Sequence, residues 1–324
     1  MEDLSKIAGR TLEGEYAGAA WFNPVTKKFY EGAFRDYEPN VTREAQLVED
    51  VSVIQAQVVL EEVLGLAQRK YVLRNATRVI SMPELVMTVD VATAPSVKEK
   101  VPPLVEADII ATSWSSVSFD LWKNVGHVVI SDEAAKKARH PIMQIEIENC
   151  ANGLAAAENS QIAAELETAT AVTGEDWGAM TTPPNNDYNP LNKIGDAIKT
   201  IQDAGFEPDF MAVDGLAWKE FLMNTHIRGM VEAKIVTVTP DAMGGMVSLP
   251  GWPQVKVLVD SHMTDTAAVI GSSTAPGVAL GLGPTEAARY RNEPKGYDAY
   301  IIRQWLQPKL VVGNAIRKLT GVTA

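Results

Sequence analysis

Four histidines, one cysteine and a short run of acids beside a histidine are the residues of this chain whose types could do chemistry. His127, His140, His226 and His262 stand more than ten residues apart, so the helical and loop spacings of a zinc site are missing. Asp260-Ser261-His262-Met263-Thr264-Asp265 is the one stretch that looks like a ligand set. It follows the apolar run Val255–Val259, and Asp260, His262 and Asp265 at a strand end could hold a metal that activates water for hydrolysis. A polar turn is the plainer reading of the same six residues. Cys150 falls on an apolar stripe, which makes it a buried, unreactive thiol rather than a nucleophile. Gly281-Leu282-Gly283-Pro284 begins like a dinucleotide turn, but the third glycine is absent. The sequence contains neither a phosphate loop ending in Gly-Lys nor a Gly-x-Ser-x-Gly nucleophile turn. No catalytic residue, cofactor-binding residue or metal ligand set is therefore expected.

The elements around these residues are those of a folded chain. Hydrophobic residues make up 46% and charged residues 22% of 324 positions, as in ordinary globular domains. The net charge is −12, which argues against a dedicated nucleic-acid binder. A single cysteine rules out an intrachain disulfide, so no oxidising compartment is required. Met1 to Ser5 shows no signal-peptide pattern, and no stretch reaches the roughly 20 apolar residues of a membrane span. A soluble, cytoplasmically made protein without a membrane partner is expected.

Residues 1–45 have no sustained period and carry scattered rings, among them Trp21, Phe22, Phe29 and Tyr30. An arm with so many rings must dock on something. Glu44 to Gln68 has helical spacing, with Gly65 as a candidate end. Residues 78–130 read as a long β-hairpin: two strand-forming runs flank a polar tip that carries Pro95, Lys98, Lys100 and Pro102. Ser131-Asp132-Glu133 reads as a helix start. From Pro141 to about Thr170 one long helix is expected, with Met143, Ile147, Cys150, Leu154 and Ala157 as a narrow apolar stripe. No Lys or Arg occurs between Pro141 and Asn192. Glu146, Glu148, Glu158 and Glu165 therefore predict a negative, wetted face on this helix. Asn189-Pro190 opens a further helix that buries Leu191, Ile194, Ile198 and Ile201 and stops at Gly205. Phe210–Val213 reads as a buried strand, and Asp214 as the cap of the next helix. Strands are expected at Lys234–Val238, Val255–Val259, Ala267–Gly271, Val278–Leu282, Ala299–Leu306 and Lys309–Val312. Residues 285–324 hold seven basic and three acidic residues, a local charge of +4.

This order of elements resembles the major capsid proteins of tailed double-stranded DNA viruses, the Hong Kong 97 fold. Val125-Gly126-His127-Val128-Val129-Ile130-Ser131-Asp132-Glu133-Ala134 is similar to that family's strand running into the segment before its long helix. Asp196-Ala197-Ile198 through Pro208–Asp214 resembles its helix, short strand and capped helix. Leu249-Pro250-Gly251-Trp252-Pro253-Gln254-Val255-Lys256-Val257 resembles its closing turn, and Ala315–Val322 its end. The resemblance covers about residues 75–324.

The resemblance implies an α+β, Hong Kong 97-like capsid fold with an N-terminal arm, an extended β-hairpin loop, a long spine helix and an axial α/β domain. Residues 1–75 would be the arm, 76–130 the extended loop and its flanking strands, and 131–184 the peripheral domain with the spine helix. Residues 185–285 would be the axial domain, and 286–324 the return strands of the peripheral domain. The function implied is structural: self-assembly into hexamers and pentamers of an icosahedral shell around double-stranded DNA. The chain would reside in the virion after assembly in the host cytoplasm. Inter-subunit contacts would come from the loop tip (Pro95, Lys98, Lys100, Pro102) and the arm (Trp21, Phe22, Phe29, Tyr30). The acidic spine (Glu146, Glu148, Glu158, Glu165) would let packaged DNA lie close without sticking. Other copies of the chain would be the main partners, with scaffold, portal and decoration proteins as further ones. Many relatives carry a roughly hundred-residue scaffolding segment that a protease removes; with about 75 residues before the hairpin here, no processed segment is expected. The founding relative crosslinks a lysine to an asparagine, and Lys98, Lys100 and Asn292 do not align to that chemistry. An encapsulin-type shell around a cargo enzyme is the alternative, although encapsulins are usually shorter and lack so long an arm. A metal-dependent hydrolase built on Asp260, His262 and Asp265 is the third reading.

Overall fold

The computed structural model describes residues 21–23, 28–30, 58–68, 70–92, 114–131, 142–174, 176–178, 189–239, 244–248, 252–274 and 277–323. Its elements, in chain order, begin with β1 (Trp21–Asn23), β2 (Lys28–Tyr30), α1 (58–68), β3 (Arg78–Ser81), β4 (Val86–Ala92), β5 (Trp114–Asp120) and β6 (Trp122–Ser131). The middle of the chain contributes α2 (Ile142–Leu166), β7 (Ala171–Thr173), α3 (Pro190–Asp203), β8 (Phe210–Val213), α4 (Gly215–Met223) and α5 (Thr225–Glu232). The remainder is β9 (Thr237–Thr239), β10 (Gly244–Ser248), β11 (Val255–Val259), β12 (Ala267–Gly271), β13 (Val278–Asn292), β14 (Tyr297–Leu310) and β15 (Ile316–Thr320).

A seven-stranded sheet, in the order β7-β15-β12-β8-β11-β10-β9, organises the larger of two compact units, which takes in 67–126, 151–286 and 303–324. The central strand β8 is parallel to β11 and antiparallel to β12. All four of its residues are buried, because successive side chains meet different layers. Met211 and Val213 face a core with Leu191, Ile194, Ala197, Ile198 and Ile201 of α3 and Phe221 of α4. Phe210 and Ala212 face a second core with Ile162, Ala163 and Leu166 of α2. A strand covered on both sides must be apolar throughout, which is why Phe-Met-Ala-Val reads as a run rather than an alternation.

The helices follow their caps. The Asn189 side chain accepts the Leu191 amide at 3.1 Å, with Pro190 at the first helical position. Beyond α3, Gly205 turns back with φ +85°, a conformation that favours glycine. Asp214 caps α4 by accepting the Leu216 amide at 2.7 Å. These starts, and the buried face of α3, agree with the sequence pattern. Helix α1 differs: it continues to residue 68, through Gly65, where a side chain would meet open space. The expected helix start after Ser131 lies outside the described residues.

A second sheet has the order β3-β13-β14-β6. β3 pairs in parallel with the start of β13, from Ala279↔Arg78 to Leu282↔Ser81. Val278 and Tyr297 open much longer strands than the local patterns suggested, because the glycines and charges along them read as breaks. β4 and β5 form their own antiparallel ribbon, from Val86↔Asp120 to Ala92↔Trp114; of the hairpin expected over 78–130, only these strands pair with each other, because β3 and β6 join the second sheet. The final strand β15, where no strand was expected, pairs with β12 from Ala267↔Thr320 to Gly271↔Ile316.

The smaller unit takes in 1–66, 127–150 and 287–302. Val59, Val63, Val128, Ile147, Ala299 and Ile302 are among its buried residues. Between β13 and β14, Asp298 receives Arg289 at 3.2 Å and Arg291 at 3.1 Å. There the Asn292 side chain accepts the Lys295 amide, and Gly296 adopts φ +58°.

Candidate functional site

Helix α2 is the element on which the sequence placed a wetted acidic face, and the structure corrects that expectation for Glu158. Glu148 is exposed and Glu146 half-buried. Glu158 is fully buried, with 0% of its surface exposed. Its carboxylate accepts two hydrogen bonds from the Arg74 guanidinium, at 2.6 and 2.5 Å, and one from Gln304 Nε2 at 2.8 Å. The physical reason is a partner 84 residues upstream that local charge counting does not see. A buried carboxylate needs such a paired, hydrogen-bonded environment. The Arg74 guanidinium also lies 3.9 Å over the Tyr71 ring. Burial, and then the Glu158 charge, raise the Tyr71 hydroxyl above its ordinary pKa.

Four other polar residues of α2 also engage distant segments. Asn159 accepts the Leu73 amide and donates to the Lys70 carbonyl at 3.0 Å. Asn152 accepts the Lys70 ammonium. Gln161 donates to Asn124 at 2.9 Å. Glu165, half-buried, accepts the Leu310 amide at 2.6 Å. Just past the helix, Glu167 accepts the Thr264 amide at 2.7 Å, the Thr264 hydroxyl at 2.8 Å and the Lys318 ammonium at 3.2 Å. Burial alone would raise the Glu167 carboxyl, but the Thr264 and Lys318 contacts outweigh it and hold it below the usual carboxylate range. These residues fasten the helix to segments near 70, 124, 264, 304, 310 and 318. Glu158 is thus withdrawn from solvent, while Glu165 stays half-buried.

The β4–β5 ribbon is the second functional candidate. Its root packs inward through Phe119, in one cluster with Met82, Leu121 and Ala279. Two further ties hold it: the Asp120 amide donates to Gln307 at 2.6 Å, and the Lys309 ammonium to the Ser118 carbonyl at 2.7 Å. On the opposite face the alternation is mainly polar, with Thr88 opposite Ser118 and Asp90 opposite Ser116. Two large apolar side chains break that rule. Val86 is 61% exposed, and Trp122, at the start of β6, is 69% exposed. Trp122 has the same parity as Ser118 and Asp120, and that alternation places it on the outward face. A second exposed apolar group lies on and after α4 and α5, with Leu216, Leu222, Met223, Val231 and Ile235.

The remaining expected contact residues divide. Trp21 pairs with Tyr30, and Phe22 with Phe29, across β1 and β2. Pro95, Lys98, Lys100 and Pro102 lie outside the described residues. Cys150 is buried, and burial together with the Glu146 charge pushes its thiol up to about 11. Asp260 does not converge with Asp265 on a site. Its carboxylate accepts the His262 amide at 2.9 Å and meets His262 Nδ1 at 2.6 Å, while the Asp265 carbonyl accepts the Thr323 hydroxyl at 2.8 Å. This is the polar turn. Among the described residues no group of three His, Cys, Asp or Glu side chains could hold a metal ion. No helix among them is long and apolar enough to cross a membrane.

No protein-family model matches the chain. No curated protein sequence matches it. Solved structures do. The chain is similar to a virus-like particle from Pyrococcus furiosus, with 11% identity over 80% of this chain and 96% of that one, at a TM-score of 0.56. It is similar to the capsid of cyanophage P-SCSP1u, with 10% identity over 78% of this chain and 89% of that one, at a TM-score of 0.58. It is similar to the holo-SrpI encapsulin complex of Synechococcus elongatus, with 11% identity over 78% of this chain and 88% of that one, at a TM-score of 0.54. At these identities the likeness speaks for the backbone alone, and it establishes that the chain has the α+β Hong Kong 97-like capsid fold.

Proposed function

We propose that this chain is the major capsid protein of a tailed double-stranded DNA virus, a structural subunit that assembles into hexamers and pentamers of an icosahedral shell. The observation that carries the reading is the extent of the likeness: four-fifths of this chain aligns with 96% of a particle subunit, so the match is to a whole subunit and not to a shared motif. The exposed Val86 and Trp122 support it. Large apolar side chains left in water at a ribbon root mark a surface that a partner covers, and in a shell the partner is another copy. In this reading residues 1–75 form the arm and 76–130 the extended loop. Residues 131–184 and 286–324 form the peripheral domain, and 185–285 the axial domain. Arm and loop tip reach neighbouring subunits, with DNA inside the shell held by proximity. Scaffold, portal and decoration proteins act as further partners, and the chain resides in the virion after assembly in the host cytoplasm.

The likeness to an encapsulin supports a second reading, a compartment around a protein cargo. Expression of the full chain, size-exclusion chromatography and negative-stain electron microscopy test both. Closed shells, rings or tubes in the void volume are expected. A 35 kDa species that stays monomeric or dimeric at every protein and salt concentration, with and without co-expressed neighbouring genes, would refute a shell protein. Shells purified from the native source that contain nuclease-sensitive DNA favour the virus; shells that contain a defined protein favour the compartment.

A further inference from the structure

The Gly281-Leu282-Gly283 stretch that resembles part of a nucleotide turn lies in β13, where alternation puts both glycines on one face. A Cβ at position 281 would stand 2.6 Å from Met82 Sδ, 3.1 Å from Phe119 Cδ1 and 3.2 Å from Leu121 Cδ2. These three atoms belong to one structure, the root of the β4–β5 ribbon: Met82 precedes β4, Phe119 lies in β5 and Leu121 follows it. All three side chains are buried. The Met82 amide donates to the Leu282 carbonyl at 2.8 Å, between the two glycines. A Cβ at 283 would stand 2.8 Å from Leu121 Cδ1 and 3.0 Å from Trp305 Cβ on the adjoining strand. The bare face at 281 is therefore a fitted seat for the ribbon root. A two-stranded ribbon is marginal in water by itself, and β4–β5 forms its own sheet, so its direction is inherited from its root.

We infer that Gly281 is a positioning residue: its missing side chain lets the ribbon root drop onto β13 and sets the angle at which β4–β5 leaves the sheet. With Phe119 seated inward, Val86 and Trp122 are held outward. The consequence for assembly rests on the shell reading above; the seat itself does not.

The test uses the full chain as wild type, Gly281→Ala and the double variant Met82→Ala/Gly281→Ala, with amide hydrogen exchange as the readout. In Gly281→Ala, the amides of 86–92 and 114–120 are expected to exchange roughly tenfold faster or more, while those of β8 and β12 keep their rates. The double variant removes the nearest obstructing atom and is expected to restore ribbon protection and, where the wild type forms shells, shell yield and diameter. Unchanged ribbon protection in Gly281→Ala overturns the seat. So does a uniform loss across all strands, or a double variant that shows no recovery. If Gly281→Ala fails to fold, a folded double variant supports the seat, and failure of both overturns it. A wild-type chain that never assembles overturns the shell reading alone, because the exchange pattern still decides the seat.

Discussion

Helices α2 and α3 both lie against the seven-stranded sheet, and they use polar residues in opposite ways. α3 buries Leu191, Ile194, Ala197, Ile198 and Ile201 and keeps Lys193, Asp196, Lys199 and Asp203 out of the core. α2 buries Ile162, Ala163 and Leu166 but also Glu158 and Asn159. On α3, polarity tells which side is wet. On α2, five polar residues instead mark where the helix is bonded: Asn152, Glu158, Asn159, Gln161 and Glu165 each engage another segment. Apolar burial tolerates changes of partner, since it is roughly proportional to area. A buried ion pair depends on one partner in one geometry. The same position that anchors the fold is thus also the one that fails most sharply when its partner is lost.

Breaking the partner on α2 is expected to have the largest effect. Arg74→Met leaves the Glu158 charge buried with only Gln304 donating to it, and about 4 kcal/mol of stability should be lost in a urea titration. Adding Glu158→Leu should return much of that loss, because an apolar pair of similar volume fills the site without the buried charge. A double variant no more stable than Arg74→Met would show that the network, and not the charge, matters. The matching change on α3, Ile198→Ala, should cost about 3 kcal/mol through lost burial and the cavity left behind, and no second substitution at a charged residue should rescue it.

Acid sharpens the contrast. The folded Glu167 carboxyl is held below its ordinary pKa by Thr264 and Lys318, against burial, which would raise it. Its contribution is therefore present above the unfolded value of about 4.3 and disappears as the pH falls through the folded one. Glu167→Gln should cost about 1–2 kcal/mol at neutral pH, and the difference from wild type should shrink as acid is added. A gap that stays constant down to the acid transition would show that Glu167 is not held by its charge. The smallest effect belongs to α3. Lys199 and Asp203 form an exposed pair four residues apart, and Lys199→Ala should change stability by no more than about 0.5 kcal/mol, with the difference disappearing in high salt.

The legible parts of the fold were those whose signals are local. Asn189-Pro190 and Gly205 bracket α3, Asp214 starts α4, and Phe210–Val213 is buried end to end, all as the residues themselves suggest. The β4–β5 ribbon was legible from two strand-forming runs around a polar tip. Local patterns failed where a long element carries residues that usually break one. β13 runs through Gly281, Gly283 and Pro284 because the ribbon root and the neighbouring strand support it from both sides. The exposed Trp122 was half legible: alternation gives its side, but a tryptophan suits a core as well as an interface, and only packing decides between them.

From its sequence alone, this chain has determined its class, its cap positions, its apolar stripes and the order of elements that marks the Hong Kong 97-like fold. Those properties depend on neighbours within a few turns or on the succession of segments, and both are written linearly. The tertiary structure decided which acids are wet, which glycines are seats and which tryptophan is left outside. Each of these depends on a partner brought near from far along the chain: Arg74 for Glu158, Met82 and Phe119 for Gly281, and for Trp122 the absence of any covering segment among the described residues. A charge, a missing side chain and an exposed ring have no fixed role until packing supplies what they face.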